Sequence, residues 1–311
     1  MATLDNKLET LIFSGAGALG FAYAGCVNAL DELNKLDSIT TYGGSSAGSI
    51  ISYALALGYT ASEVEDIVKT TNFGDFLHCP SIGNFVNLQK ILTEKGYAEA
   101  HPLETGVVID RLIKHNCMSD NDAAKAFLDG LCIKKYGKAL TFQELFEKTN
   151  KKLVTTACDI GTKQEKYNSV DTTPSMLVQD AVLASMSIPF VFPPMNLYAN
   201  QDNCVVDGGT LNNLPVNIGK GTTSLYIVIG QPITDLGSFT ETTSFFSFAH
   251  NLIDTLLNNS YQFIFSIPEV VENTIQIPIP DGLGALSFNM TPAQQQSLID
   301  NGYNATKSYY S

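Results

Sequence analysis

Residues 39–48 read Ile39-Thr40-Thr41-Tyr42-Gly43-Gly44-Ser45-Ser46-Ala47-Gly48. A β-prone run leads into Gly44-Ser45-Ser46-Ala47-Gly48, which fits G-x-S-x-G, the sharp strand-to-helix turn that presents a serine as a nucleophile. Small flanking residues are needed because the turn is strained and the serine must clear its neighbours. The apolar residues that follow predict a helix over residues 47–57. Ser46 would lie at its N-terminus, where the helix dipole and free N–H groups favour negative charge on an attacked carbonyl.

A second turn, Gly15-Ala16-Gly17-Ala18-Leu19-Gly20, follows the apolar run Leu11-Ile12-Phe13. As G-x-G-x-x-G it fits a dinucleotide-binding fingerprint, in which N–H groups hold a pyrophosphate. As a turn beside a nucleophile it fits an oxyanion hole, in which the same groups stabilise a tetrahedral intermediate. Dinucleotide binding requires an acidic residue that ends the second strand, whereas Asp37 precedes that strand. The context favours the oxyanion hole, and dinucleotide binding and a tight turn without a ligand stay open as alternatives.

The third segment is Val205-Val206-Asp207-Gly208-Gly209, followed by Leu211-Asn212-Asn213-Leu214-Pro215. An aspartate that ends a β-branched run, with glycines behind it, can direct its carboxylate into a site while the chain turns away. Taken alone, the segment is equally compatible with an ordinary Asp-Gly turn.

These three segments, in this order, resemble the patatin-like phospholipase family. The stretch of residues 152–159 is similar to the family's central strand, and residues 180–194 are similar to the block before its catalytic aspartate. The similarity runs from about Leu8 to Leu214, is weaker over residues 298–303, and is lost over residues 78–138. It implies a three-layer α/β/α fold with a mostly parallel central sheet. We expect one catalytic domain over residues 1–311, with residues 73–138 as helical packing, a lid or a partner-binding surface.

The resemblance implies a serine–aspartate dyad, with Ser46 as the nucleophile and Asp207 as the base. It implies cleavage of a carboxylic ester of a phospholipid or acylglycerol through an acyl-enzyme on Ser46, without a metal or another cofactor. The backbone amides of Gly15, Ala16, Gly17 and Ala47 would hold the oxyanion. Five further glycines support the motifs: Gly20, Gly44, Gly48, Gly208 and Gly209.

The glycine loop departs from the family pattern at two positions. Ala16 replaces a glycine, and Leu19 stands where a basic residue is usual. Ala16 can still donate its N–H if its φ angle is negative, so the oxyanion hole survives. The missing cation removes one contact to a phosphate headgroup, which leaves neutral lipid esters open as substrates.

Histidine supplies the main mechanistic alternative. The order Ser46, Asp207, His250 is the order of α/β-hydrolase triads. His250 lies in an amphipathic helical stretch, where a lone histidine is more often a packed or surface residue. We therefore favour the dyad over the triad.

Charge and hydropathy limit the partners. The net charge of −13 argues against nucleic acid and against electrostatic docking on anionic membranes. No apolar run reaches the roughly 20 residues that span a bilayer, and residues 1–9 lack a signal pattern, so we expect a cytoplasmic protein peripheral to membranes or lipid droplets. The six cysteines are then expected to be reduced thiols. A lipid ester in a membrane, droplet or micelle is the expected partner, and an activating protein stays possible.

Contact with a lipid interface would need apolar side chains. The sequence offers Phe245, Phe246 and Phe248, and a second run over residues 261–267. Core packing is the simpler interpretation of both, and lining of the acyl pocket is the alternative. A catalytically silent patatin-fold module that binds lipid or a protein is a third hypothesis for the whole chain.

Periodicity and turn residues place the remaining elements. Thr291 and Pro292 predict the N-cap and first residue of the last helix. Strands are predicted at residues 8–14, 39–43, 153–158, 165–168, 205–206, 224–229 and 274–279. Helices are predicted at residues 21–36, 47–57, 61–70, 107–115, 123–135, 141–148 and 292–300.

Overall fold

A seven-stranded sheet forms the centre of the computed structural model. The structure describes residues 7–79, 90–91, 96–198, 203–230 and 264–311, with Phe248, Leu252, Thr255, Leu256 and Tyr261 between the last two ranges. The strands are β1 (Thr10–Phe13), β2 (Thr41–Gly44), β3 (Lys152–Asp159), β4 (Gln164–Asn168), β5 (Val205–Asp207), β6 (Ser224–Ile229) and β7 (Thr274–Ile277). Their order is β4-β3-β2-β1-β6-β7, with β5 also paired to β3. Pairs with β4 and β5 are antiparallel and the other four are parallel, so the predicted mostly parallel α/β sheet is confirmed.

Helices precede and follow most strands. They are α1 (Phe21–Glu32), α2 (Ala47–Ala56), α3 (Ala61–Thr70), α4 (Tyr97–Ala100), α5 (Pro102–His115), α6 (Asp122–Tyr136), α7 (Phe142–Thr149), α8 (Val178–Ser185), α9 (Pro268–Glu272) and α10 (Pro292–Tyr309). Single 3-10 turns span Gly17–Gly20, Phe73–Phe76, Gly208–Thr210 and Val216–Gly219. Among the described helices, none combines the length and the apolar character needed to cross a lipid bilayer.

The sheet is buried on both faces, as expected where helical crossovers cover parallel strands. All four residues of β1 are buried, and so are seven of the eight residues of β3. Apolar residues from β1, α1, α2 and α8 share the main hydrophobic core, while Ile12 belongs to a second cluster with Val228, Tyr261 and Ile264. The motifs lie at the ends of the strands, and this layering places those ends between helices.

Local capping fixes several helix ends where the sequence predicts them. Thr291 caps α10 in a capping box with Gln294, so the predicted N-terminus is confirmed. Its predicted end near residue 300 is wrong, because α10 continues to Tyr309 along α1. A Cβ on Gly302 would lie 1.9 Å from the Ala22 carbonyl oxygen, so this glycine allows a close helix crossing. The predicted end of α1 at residue 36 is also wrong, because Asn34 adopts a left-handed φ of 54°.

Strand register brings the second and third motifs together. Gly44, the last residue of β2, pairs with Thr155 of β3. Asp207, the last residue of β5, pairs with Ala157, two residues further along β3. Ser46 follows Gly44 by two residues. Ser46 and Asp207 therefore lie at the same level of the sheet, although 161 positions separate them in the chain.

Candidate active site

Ser46 lies at the turn between β2 and α2, in a strained backbone conformation. Its φ is 51° and its ψ is −127°, a region that residues other than glycine seldom adopt. The flanking glycines have no room for side chains. A Cβ on Gly44 would lie 2.5 Å from the Gly48 backbone, and one on Gly48 would lie 2.4 Å from the Phe13 carbonyl oxygen. Close packing of three backbone segments therefore imposes the turn that presents Ser46.

Asp207 accepts a hydrogen bond from the Ser46 hydroxyl. The Ser46 Oγ to Asp207 Oδ2 distance is 2.6 Å, and Asp207 Oδ1 accepts from the Gly209 N–H at 2.7 Å. Asp207 is fully buried and Ser46 is 4% exposed. Burial raises the pKa of Asp207 to about 7, although both hydrogen bonds favour the charged form. A carboxylate with such a pKa is a much stronger base at neutral pH than an ordinary aspartate.

Ser185, the last residue of α8, forms a hydrogen bond with the backbone of Ser46. Its Oγ accepts a hydrogen bond from the Ser46 N–H at 3.1 Å, and both groups are buried. Satisfying this N–H matters because the strained turn leaves it outside the hydrogen-bond pattern of α2. The sequence pattern gives no sign of this contact, since the residues are 139 positions apart.

The glycine loop is only partly available as an oxyanion hole. The Gly15 N–H donates to the Asn213 carbonyl at 2.9 Å, so the structure does not present it to the site as the sequence analysis expected. Ala16 has a φ of −148°, which meets the condition for donating its N–H. Within the described residues, the N–H groups of Ala16, Gly17 and Ala47 have no acceptor in hydrogen-bonding geometry. Those three remain the candidate donors.

Asn213 lies far from the glycine loop in the sequence but forms direct hydrogen bonds with it. The sequence analysis does not predict this contact. The Asn213 Nδ2 donates to the Gly15 carbonyl at 3.0 Å and to the Tyr261 hydroxyl at 2.8 Å. On the other side of the loop, the buried Tyr23 hydroxyl donates to the Ser14 carbonyl at 2.5 Å. A Cβ on Gly15 would lie 2.1 Å from Asn213 Oδ1, so the loop and Asn213 fit closely. The segment after Asp207 thus connects the dyad to the loop.

A cleft of about 580 Å³, including solvent at its mouth, opens beside Ser46. Gly17 and Ala47 lie along it, so two candidate oxyanion donors and the candidate nucleophile border the same space. None of the described lining residues is charged, and Ser46 is the one with a polar side chain. The aromatic and aliphatic walls include Phe21, Ile50, Phe73, Phe76, Phe192 and Phe288. Such a cleft suits a hydrocarbon chain whose carboxyl end is held at Ser46.

Other candidate residues lie elsewhere. His250, Phe245 and Phe246 are outside the described residues, so the triad stays untested. Phe248, the described member of the first apolar stretch, is 55% exposed. Tyr261 and Ile264 are buried in the second hydrophobic cluster and do not line the cleft. All six cysteines are described, and all are free thiols. The described residues contain no cluster of three or more histidine, cysteine or acidic side chains that could hold a metal ion.

Comparison with known proteins identifies the family. The family model described as patatin-like phospholipase matches residues 11–219, more than half of the chain. The matched range contains the glycine loop, Ser46 and Asp207. The chain belongs to the patatin-like phospholipase family. The resemblance inferred from the sequence is therefore confirmed.

Individual relatives extend the comparison. A protein of Invertebrate iridescent virus 6 named probable lipid hydrolase 463L is 31% identical over 210 residues, which cover 68% of this chain and 62% of the viral protein. Triacylglycerol lipase 4 of Saccharomyces cerevisiae is 27% identical over 67% of this chain and 22% of the yeast protein. The match thus spans about three-fifths of the viral relative and a smaller part of the yeast one. VipD from Legionella pneumophila superposes with a TM-score of 0.60 at 18% identity, covering 98% of this chain and 67% of VipD, which shows a shared fold.

Proposed function

We propose that this protein is a lipid acyl hydrolase that forms an acyl-enzyme on Ser46 with Asp207 as the base. The observation that carries the proposal is the 2.6 Å hydrogen bond between Ser46 Oγ and Asp207 Oδ2 at the wall of an apolar cleft. Family membership and the viral relative named as a lipid hydrolase support the same reaction class.

The two side chains can perform both halves of the reaction. Ser46 Oγ attacks the ester carbonyl while its proton passes to Asp207, and the proton then goes to the departing alcohol oxygen. In the second half, a water molecule attacks the acyl-enzyme, Asp207 takes the water proton, and that proton returns to Ser46 Oγ as the fatty acid leaves. The N–H groups of Ala16, Gly17 and Ala47 would stabilise the negative oxygen in both steps. In a related chemistry, removal of one such donor costs about 2.7–4 kcal/mol of transition-state stabilisation.

The substrate class follows from the lining of the cleft. An uncharged apolar wall binds the acyl chain, and its described residues offer no cation to a phosphate headgroup. Leu19, where the family often has a basic residue, agrees with this lining. We therefore rank acylglycerols before phospholipids, and the similarity to a protein named triacylglycerol lipase supports that order. The same lining argues against a dinucleotide, since Gly17 borders apolar side chains.

Labelling with a fluorophosphonate probe tests the proposal directly. The wild-type protein should be labelled and should hydrolyse p-nitrophenyl octanoate, and Ser46→Ala should abolish both. Ser52→Ala is the matched control, because Ser52 is a buried serine of α2 whose hydroxyl donates to the Gly43 carbonyl. This variant should keep the label. Absence of labelling in folded wild-type protein would instead support a catalytically silent lipid-binding module.

The preference for acylglycerols over phospholipids is tested with emulsified trioctanoylglycerol and with phosphatidylcholine vesicles. We expect faster fatty acid release from the acylglycerol. Preference for the phospholipid would show that a headgroup contact outside the described cleft dominates.

A further inference from the structure

The segment between β7 and α10 contacts the glycine loop and contributes to the lining of the cleft beside Ser46. We call residues 278–290 the strap. Leu286 and Met290 are buried in the main hydrophobic core, and the Phe288 side chain lines the cleft together with Ser46. The strap lies beyond residue 219, where the match to the family model ends.

The strap is joined to the glycine loop backbone to backbone. The Ala18 N–H donates to the Ala285 carbonyl at 2.7 Å. Gly17 has a φ of 53°, and a Cβ at this position would lie 2.2 Å from the same carbonyl oxygen. The loop that offers the Gly17 N–H therefore packs directly on the strap, with no side chain between them.

Internal hydrogen bonds fix the shape of the strap near this contact. The Gly284 N–H donates to Ser287 Oγ at 2.9 Å, and the Ser287 N–H donates to the Gly284 carbonyl at 2.9 Å. The Phe288 N–H donates to the Leu286 carbonyl at 2.9 Å. Phe288 follows Ala285 by three residues and lines the same cleft as Gly17, Ala18 and Ser46.

We propose that the strap is the acyl-selectivity element of this enzyme, with Phe288 limiting the bulk of the acyl group beside the reacting carbonyl. The inference rests on the proposed lipid hydrolase function and adds a specificity-determining residue to it. A straight acyl chain passes the Phe288 ring, whereas a branch next to the carbonyl meets the ring. Because Ala285 fixes the strap against Gly17, this limit keeps its position relative to the oxyanion donors.

The test compares straight and branched esters in matched variants. Values of kcat/KM are measured for p-nitrophenyl octanoate and p-nitrophenyl 2-ethylhexanoate. Phe288→Ala should raise the ratio of branched to straight substrate about 10-fold or more, the usual scale for small changes in a hydrophobic pocket. Phe146→Ala is the control, because Phe146 is a half-buried phenylalanine of α7 that does not line the cleft. It should leave the ratio unchanged.

A second variant keeps the test decisive if Phe288→Ala does not fold. Phe288→Trp enlarges the side chain and should lower the same ratio. Unchanged ratios in folded, fluorophosphonate-labelled Phe288 variants would overturn the role of the strap and leave the hydrolase intact. Wild-type protein that neither hydrolyses octanoate nor takes the label would overturn the hydrolase, and the strap proposal with it.

Discussion

Replacing Asp207 with asparagine should stabilise the fold above neutral pH while it removes activity. The amide has nearly the shape of the carboxyl group and eliminates the ionisable group that is fully buried behind Ser46. Burial is the largest cause of the raised pKa of Asp207, from 3.8 to about 7, and the Ser46 and Gly209 hydrogen bonds only partly oppose it. Ionisation of Asp207, which the proposed reaction requires, is therefore less favourable in the folded protein than in the unfolded chain.

The sign and size of the effect follow from linkage. Between about pH 4 and pH 7 the folded protein keeps the Asp207 proton and the unfolded chain has released it. Protonated Asp207 thus makes its full contribution to the free energy of unfolding below about pH 4. This contribution is lost as the pH rises through about 7. The loss totals roughly 4 kcal/mol, with roughly 3 kcal/mol of it between pH 5 and pH 9. Asp207→Asn has no such loss.

Urea denaturation at pH 5 and pH 9 measures the difference. The unfolding free energy of Asp207→Asn relative to wild type should rise by roughly 3 kcal/mol between these values. Asp159→Asn is a control for which we expect the opposite effect, a loss of stability. Burial raises the pKa of Asp159, but hydrogen bonds from Thr162 and Gly161 outweigh burial and lower it, so this variant should be less stable than wild type at both pH values. Parallel stability curves for wild type and Asp207→Asn would refute the reasoning.

Two further predictions concern catalysis. Because Asp207 must be unprotonated to act as the base, kcat/KM for p-nitrophenyl octanoate should fall about tenfold per pH unit below about 7 and level off above it; a flat profile from pH 5 to 9 would contradict this. Ser185→Ala removes the acceptor of the Ser46 N–H and should lower kcat about 10- to 100-fold at nearly constant KM. Ser187→Ala removes only the hydrogen bond from the Ser187 hydroxyl to the Leu183 carbonyl and should change kcat less than threefold, so equal losses would count against a positioning role for Ser185.

The sequence predicts the parts of the site that local chemistry controls. Gly44, Ser46 and Gly48 form one turn within five residues, and each glycine meets a backbone atom that excludes a side chain. Most predicted strands occur within a few residues of the observed ones, because buried parallel strands require apolar runs. The capping box of Thr291 and Gln294 likewise needs only neighbouring residues.

Contacts between distant segments escaped the sequence analysis. Nothing near Ser185 in the chain indicates that its hydroxyl accepts from Ser46. The Gly15 N–H looked available because its acceptor, the Asn213 carbonyl, lies 198 residues away. No sequence motif predicts the contact between the strap and the glycine loop, because Ala285 accepts the Ala18 N–H with a backbone carbonyl that any residue possesses. In each case the fold sets the partner, and the side-chain type does not.

The dyad combines two unfavourable features that only a well-packed surrounding can maintain. The positive φ of Ser46 stores about 1–3 kcal/mol of strain, and Asp207 loses hydration on burial. The supports come from separate parts of the chain: Gly48 packs on β1, Ser185 binds the Ser46 N–H, and Gly209 donates to Asp207. A serine held in a relaxed turn beside a hydrated aspartate would face an ordinary weak base. In the proposed mechanism, the packing that strains Ser46 and buries Asp207 is therefore also what makes the pair reactive.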